Sequence, residues 1–199
     1  EFPEEVIQQA DEIANAPIPK EAYVTRLDLR STPIFTIDSA HSKDLDDAVS
    51  LEKTENGYRL GVHIADVSHY VQPKTPLDEE ALRRGTSIYY ADHVIPMLPK
   101  SLSNGVCSLN PCEDRLAFSA LMELDENGEI VSYQFRKTII RSAVKGVYSE
   151  VNEILAGTAA PELLDKYKDV IHMIPLMNEL CDIRLRERKR RGAPELETA

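Results

Sequence analysis

Four aspartates within ten positions form the group in this sequence that is best suited to chemistry. They are Asp38, Asp44, Asp46 and Asp47. Apolar runs of β type flank them at residues 33–37 and 48–51. Carboxylates held this close repel each other unless cations or hydrogen-bond donors neutralise them. Hard oxygen ligands favour Mg²⁺, Mn²⁺ or Ca²⁺, so a loop anchored by two strands is suited to hold such an ion rigidly.

Three interpretations of this acidic loop compete. A solvated acidic turn is the simplest. An EF-hand requires ligands at alternate positions and a glycine at the sharp turn, and this loop has Ala40 and Ser42 at two ligand positions and no glycine. The EF-hand is therefore excluded. The third is a phosphodiesterase site, in which two divalent ions roughly 3.5–4 Å apart bind the attacking and leaving oxygens. The carboxylates alone leave the first and third interpretations open.

A series of short motifs accompanies the aspartates along the chain. In order, they are Thr36-Ile37-Asp38, Asp44-Leu45-Asp46-Asp47-Ala48, Ile64-Ala65-Asp66-Val67-Ser68, Arg84-Gly85-Thr86-Ser87-Ile88-Tyr89, Val94-Ile95-Pro96-Met97-Leu98-Pro99, Leu102-Ser103-Asn104-Gly105, Cys107-Ser108-Leu109-Asn110-Pro111 and Asp114-Arg115. The series resembles the RNB domain of the ribonuclease II and ribonuclease R family, and the ribonuclease R branch most of all. The resemblance runs from about Arg26 to the end of the chain.

The resemblance implies a 3′→5′ exoribonuclease that hydrolyses single-stranded RNA to nucleoside 5′-monophosphates with Mg²⁺, or with Mn²⁺ as an alternative ion. It implies that all four aspartates form the catalytic metal site: Asp38 and Asp47 bind metal directly, and Asp44 and Asp46 complete the carboxylate cluster by binding a second ion or positioning its water. Of the four aspartates, Asp46 is the one whose replacement is expected to reduce the rate of hydrolysis most. An aromatic residue at the position of Tyr89 is implied to hold the base of the 3′-terminal nucleotide.

Two other functional classes remain open at this stage. One is a non-catalytic RNA-binding or scaffold member of the same fold, and the four intact carboxylates argue against it. The other is an unrelated structural metal-binding module, which the motifs after the acidic loop disfavour.

The bulk composition is that of an ordinary globular protein, with 42% hydrophobic and 29% charged residues. No apolar run approaches the ~20 residues that a membrane span requires, and the first residues lack a signal-peptide pattern. The three cysteines fit no zinc spacing, which favours free thiols in a reducing compartment. The sequence therefore predicts a cytoplasmic protein without a membrane partner.

The net charge of −11 is unusual for a nucleic-acid-binding protein. Six cations are nevertheless clustered between residues 184 and 191, interrupted only by two other residues. This basic run suits a local RNA-binding wall. It equally suits a solvated helix end, where cations interact favourably with the helix dipole. The sequence leaves both interpretations open.

The fold class predicted from these patterns is α+β, with a β-rich mixed core and helices packed on it. Residues 1–25 are predicted to form a helical segment and linker, and residues 26–199 the N-terminal part of an RNB-type catalytic domain. The family motif that supplies a catalytic arginine is absent from the 199 residues, so a domain truncated on its C-terminal side is expected. The isolated chain is accordingly expected to be inactive. Residues 192–199 resemble the start of a further strand.

Turn and capping signals predict several elements. Asn56-Gly57 and Asn127-Gly128 are typical of hairpin turns. An extended stretch is expected from Pro19 to about Leu29. Thr75 is predicted to cap a helix with Pro76 at its first position and Gly85 after its end.

Later in the chain, Ser149 is predicted to cap a helix that runs to Ala156 and stops at Gly157. Pro175 is predicted to kink or divide the helical region from residue 161 towards 191. Asp66, at a strand end, is suited either to support the acidic loop or to form a structural turn. His63 and His69 are interpreted as structural.

Overall fold

The computed structural model describes residues 1–91 and 93–193, and these form nine strands and seven α-helices. The strands are β1 (Leu27–Asp28), β2 (Thr36–Asp38), β3 (Asp47–Thr54), β4 (Gly57–Ala65), β5 (Ile88–Tyr89), β6 (Val94–Ile95), β7 (Asp114–Asp125), β8 (Ile130–Arg141) and β9 (Lys145–Val147). The helices are α1 (Glu4–Asn15), α2 (Ala22–Thr25), α3 (Val67–Tyr70), α4 (Pro76–Arg84), α5 (Tyr148–Ala156), α6 (Pro161–Lys166) and α7 (Met173–Arg190). The predicted mixed α and β fold with a β-rich core is confirmed.

The main sheet has five strands in the order β1-β8-β7-β4-β3. Both predicted hairpins are part of it. In the β3–β4 hairpin, Thr54 pairs with Gly57 across a two-residue turn. Gly57 has a φ of 146°, and a Cβ there would lie 2.1 Å from the Leu124 carbonyl oxygen, so only glycine fits. The β7–β8 hairpin turns at Gly128, also with positive φ.

A small parallel sheet of β2 and β9 lies beside the main sheet. Thr36 pairs with Lys145, and Asp38 pairs with Val147. A bridge between Phe35 and Val49 joins this sheet to β3. The two strands that flank the acidic loop are therefore each hydrogen-bonded to other parts of the core.

The largest hydrophobic cluster packs α7 and its preceding segment against the main sheet. Phe35 contacts Tyr167 edge to face, with ring centroids 6.5 Å apart. The Tyr167 hydroxyl accepts a hydrogen bond from the Val147 N–H and donates to Glu150. This buried tyrosine therefore connects the core to the end of β9.

The N-terminal helix α1 packs through Val6 and Ala10 against Leu77 of α4 and Leu102. Helix α4 has the predicted caps: the Thr75 hydroxyl accepts a hydrogen bond from the Asp78 N–H, and Gly85 ends the helix with a φ of 73°.

Three local predictions were wrong. The stretch after Pro19 is not extended throughout, because residues 22–25 form α2. Ser149 does not cap α5: β9 runs directly into the helix, Val147 occupies the cap position, and no side chain caps it. Pro175 neither kinks nor divides a helix. It is the third residue of α7, in the first turn, where a backbone N–H has no partner within the helix.

The helical region is instead divided between Lys166 and Met173, where Tyr167 and Val170 enter the core. Gly157 does end α5, with a φ of 70°. Most of the predicted strand at residues 192–199 lies outside the described residues. In the described ranges, no helix is long and apolar enough to cross a membrane.

Candidate active site

The acidic loop is positioned by the ends of two strands. Asp38 is the last residue of β2 and Asp47 is the first residue of β3, and Asp44 and Asp46 lie on the loop between them. The Ala65 N–H donates to the Asp46 carbonyl, which joins the end of the loop to β4. The structure thus places the four predicted aspartates on one loop between the end of β2 and the start of β3.

Leu45 anchors the middle of the loop. Its side chain is buried, with 1% exposed. Its N–H donates to the Ser108 hydroxyl at 3.0 Å, and its carbonyl accepts from the Leu109 N–H at 2.8 Å. The Ser108 hydroxyl also donates to the Lys43 carbonyl. The motif around Ser108, far away in sequence, therefore holds the backbone between Asp44 and Asp46.

Lys145 holds the other half of the loop. Its ammonium donates to the carbonyls of Ala40, at 3.0 Å, and Ser42, at 2.5 Å. The pKa of Asp38 is raised overall, first by burial and then by Asp47, and the positive charge of Lys145 opposes this shift. Sequence reasoning did not select Lys145, and only its position opposite Thr36 in the small sheet explains its role.

The carboxylates interact with one another. The Asp46 side chain is exposed at the surface, yet desolvation by the surrounding protein is the largest cause of its raised pKa, followed by the charges of Asp44, Asp47 and Asp38. The pKa of Asp38 is also raised, first by burial and then by Asp47. In the described part of the chain, none of the four forms a salt bridge.

The four side chains do not converge on one point in this conformation. Among residues 1–91 and 93–193, no three His, Cys, Asp or Glu side chains lie close enough together to hold a metal ion.

Tyr89 lies directly beside the loop. Its side chain is 64% exposed, and its hydroxyl donates to the Asp44 carboxylate at 2.9 Å. This hydrogen bond is the largest cause of the raised pKa of Tyr89. Both residues line an apolar pocket of about 340 Å³ together with Asp46, Ile64, Ala65, Val67, Ser87, Met97, Leu98, Ser103 and Cys107. A planar, mainly apolar group can therefore lie next to the carboxylates.

Comparison with known proteins identifies the family. Residues 26–199 match the RNB domain. The chain belongs to the RNB domain family. It is 47% identical over its whole length to ribonuclease R 1 of Lactococcus lactis, of which it covers 24%. It is 48% identical over 194 residues, 97% of its length, to ribonuclease R of Thermotoga maritima, of which it covers 27%.

Solved structures agree with this assignment. Mycoplasma genitalium RNase R in complex with ribose-methylated single-stranded RNA matches all of the chain with a TM-score of 0.91 at 32% identity, and the chain covers 30% of it. The complex of the same enzyme with double-stranded RNA matches with a TM-score of 0.88 at 32% identity, over 96% of this chain and 34% of that one. The chain spans about a quarter of the length of the curated relatives that it matches.

Asp66 of the RNB domain is engaged in a buried ion pair. Its carboxylate lies 2.6 Å from the Arg26 guanidinium, which also donates to two backbone carbonyls. Burial would raise the pKa of Asp66, but hydrogen bonds from Arg26 and Ser68 lower it overall. The contacts favour the structural role for Asp66 over a supporting role at the acidic loop.

His63 and His69 are structural in their contacts. His63 is buried and hydrogen-bonds to Ser50 and Ser119, and burial lowers its pKa to about 4. Gly61 leaves room for this arrangement, since a Cβ there would lie 2.7 Å from the His63 ring. His69 packs edge to face on Tyr70.

The basic run on α7 is partly neutralised. Arg190 and Arg191 pair with Glu187, and Arg184 and Arg191 pair with Glu129 on the β7–β8 turn. Arg186 and Arg188 form no ion pair in the part of the chain that the structure describes. Two cations of this run, Arg184 and Arg191, therefore connect α7 to the hairpin, and the pairs with Glu187 lie within the end of the helix itself.

Proposed function

We propose that this chain is part of a 3′→5′ exoribonuclease that hydrolyses single-stranded RNA to nucleoside 5′-monophosphates with Mg²⁺, or with Mn²⁺ in its place. The observation that carries the proposal is the acidic loop itself. A member of the RNB family here presents four carboxylates on one loop and its flanking strand ends, and none of them forms a salt bridge within the described ranges. Two of them, Asp44 and Asp46, line a pocket together with Tyr89.

The donor set of the loop fits the proposed ion. All four groups are carboxylates, the oxygen ligands that Mg²⁺ and Mn²⁺ prefer. Asp38 ends β2 and Asp47 begins β3, and the other two aspartates flank the buried Leu45. The backbone that carries the ligands is therefore fixed. Asp38 and Asp47 would hold the ion directly, and Asp44 and Asp46 would complete the cluster.

The four aspartates would hold a divalent cation, which would supply a lowered pKa for coordinated water and positive charge opposite the phosphoryl oxygens. Other residues of the chain hold the loop in place and align its carboxylates. Lys145 and Ser108 maintain the loop conformation through its carbonyls. The Tyr89 hydroxyl orients Asp44, and its exposed ring is available for stacking on the terminal base, a contact that every base can make.

The proposed compartment is the cytoplasm. All three cysteines are free, with Cys107 buried and Cys112 and Cys181 exposed. Exposed free thiols are usual in a reducing compartment and uncommon in secreted proteins.

The proposal is tested with Asp46→Asn in the full-length gene product. Removing one charge from a site that stabilises the transition state should reduce the rate of RNA hydrolysis by orders of magnitude and leave RNA affinity nearly intact. Asp11→Asn is the matched control, because Asp11 is an exposed aspartate on α1.

The measurement is a gel assay with end-labelled single-stranded RNA and Mg²⁺, together with an RNA-binding titration. Equal hydrolysis rates for Asp46→Asn and the wild type would overturn the assignment of the loop. RNA binding without hydrolysis in the wild type would support the non-catalytic alternative.

A further inference from the structure

A second, smaller pocket adjoins the carboxylate loop. It shares Asp44, Ser87 and Ser103 with the apolar pocket, and its volume is about 210 Å³. Its other walls are formed by His41, Lys43, Val94, Pro96, Lys100 and Asn104. We refer to it as the lysine pocket. Asp44 thus belongs to a basic, polar pocket and to an apolar one.

The two lysines of this pocket are available to bind an anion. Lys43 and Lys100 are both exposed, and in residues 1–91 and 93–193 neither forms an ion pair, although Asp44 lines the same pocket. By contrast, Arg26 and Arg115 are each paired with a carboxylate. An ammonium group without a carboxylate partner retains its full attraction for an incoming anion.

The size and polarity of the lysine pocket suit a phosphate. Its volume is below the ~300–1,000 Å³ that is typical of pockets for whole small molecules. Ser87, Ser103 and Asn104 add neutral polar groups to its walls. The neighbouring pocket has the apolar walls and the exposed tyrosine ring that suit a base. The lysine pocket therefore suits the phosphate of a nucleotide, and the apolar pocket beside it suits the base.

We propose that the lysine pocket is a subsite for a backbone phosphodiester of RNA, adjacent to the bond that is cleaved at the acidic loop. The subsite rests on the proposed function, because it takes the RNA to lie against Asp44. Such a subsite would also explain how a chain with a net charge of −11 binds the polyanion RNA. Affinity for a polyanion depends on cations at the contact rather than on total charge.

The test uses Lys43→Met, Lys100→Met and the double variant in the full-length gene product, with Lys20→Met as the control. Lys20 is an exposed lysine of the N-terminal segment and does not line either pocket. All variants also carry Asp46→Asn, so that bound RNA stays intact. The affinity for a short labelled single-stranded RNA is measured over a range of KCl concentrations at one fixed Mg²⁺ concentration.

One phosphate contact contributes about 0.7 to the slope of log affinity against log salt for single strands. The magnitude of this slope should therefore be smaller by about 0.7 in the double variant. It should fall by less in each single variant and stay unchanged in the control. An unchanged slope in a double variant that still binds RNA would overturn the subsite alone. An absence of RNA binding in all proteins, including the Asp46→Asn parent, would overturn the proposed function as well.

A second titration identifies the source of the phosphate. Adenosine 5′-monophosphate is added as a competitor of RNA binding. If the double variant loses sensitivity to this competitor while its salt slope is unchanged, the pocket binds the released monophosphate, and the backbone proposal is wrong. Equal sensitivity together with a reduced slope supports the backbone subsite.

Discussion

Tyr89 offers two groups whose effects can be separated by mutation. Tyr89→Phe removes the hydroxyl that donates to Asp44 at 2.9 Å and keeps the ring. Tyr89→Ala removes both groups. A hydrogen bond to a charged partner contributes about 1.5–3 kcal/mol, and the 64% exposure of Tyr89 places this one at the lower end. About 1.4 kcal/mol corresponds to a tenfold change in an equilibrium constant.

We therefore expect Tyr89→Phe to weaken Mn²⁺ binding about tenfold, since hydrogen bonds to metal ligands orient them. The shortest RNA product should stay the same, because the ring remains. Tyr89→Ala should weaken Mn²⁺ binding equally and also change the shortest product, because a stacking contact of about 1–3 kcal/mol is lost.

Isothermal titration with Mn²⁺ measures the first effect, and a product ladder on a sequencing gel measures the second. Tyr90→Phe is the control, since Tyr90 stacks on His93 and does not contact the carboxylates. Equal Mn²⁺ affinity in Tyr89→Phe and the wild type would refute the orienting role of the hydroxyl. An unchanged product ladder in Tyr89→Ala would refute the contact with the terminal base.

Three further outcomes are expected. His63 makes folding acid-sensitive: its pKa falls from 6.5 to about 4 in the folded state, so the unfolded state takes up the proton first. The free energy of unfolding should be at its full value above pH 6.5 and lower by about 3 kcal/mol at pH 4, as measured by urea titration, and His63→Gln should reduce this dependence. Arg26→Met leaves Asp66 buried without its partner and should destabilise the domain by about 3–5 kcal/mol, whereas Arg26→Met with Asp66→Asn should recover most of the loss in thermal melts. The 199-residue chain alone should show little Mg²⁺-dependent RNA degradation, because it spans only about a quarter of the length of the ribonuclease R relatives that it matches, and robust degradation that Asp46→Asn abolishes would contradict this.

Sequence reasoning succeeded where the signal is local. The Asn-Gly pairs at residues 56–57 and 127–128 located both hairpins, because few residues other than glycine adopt the required positive φ. The caps of α4 follow equally from Thr75 and Gly85. Ser149 and Pro175 were misjudged because each residue has a second permitted position in the first turn of a helix.

The support of the site could not be predicted, because it depends on contacts between distant parts of the chain. Lys145 reaches the loop only through the pairing of β9 with β2. Ser108 holds Leu45 from a segment more than sixty residues away in sequence. Arg26 forms its ion pair with Asp66, forty residues further along the chain. The carboxylates themselves were visible as a cluster in the sequence.

Leu45 has a consequence for how this domain loses its function on heating. Its side chain is part of the interior, and both of its backbone polar groups are bonded to the segment of Ser108 and Leu109. Asp44 and Asp46 are its immediate neighbours, so the loop cannot melt by itself while the interior is intact. Many surface loops open long before the rest of a protein does. In this domain, the carboxylate arrangement and the global fold should disappear in one cooperative transition, and the amide protons of Leu45 and Leu109 should exchange with solvent as slowly as those of the central strands.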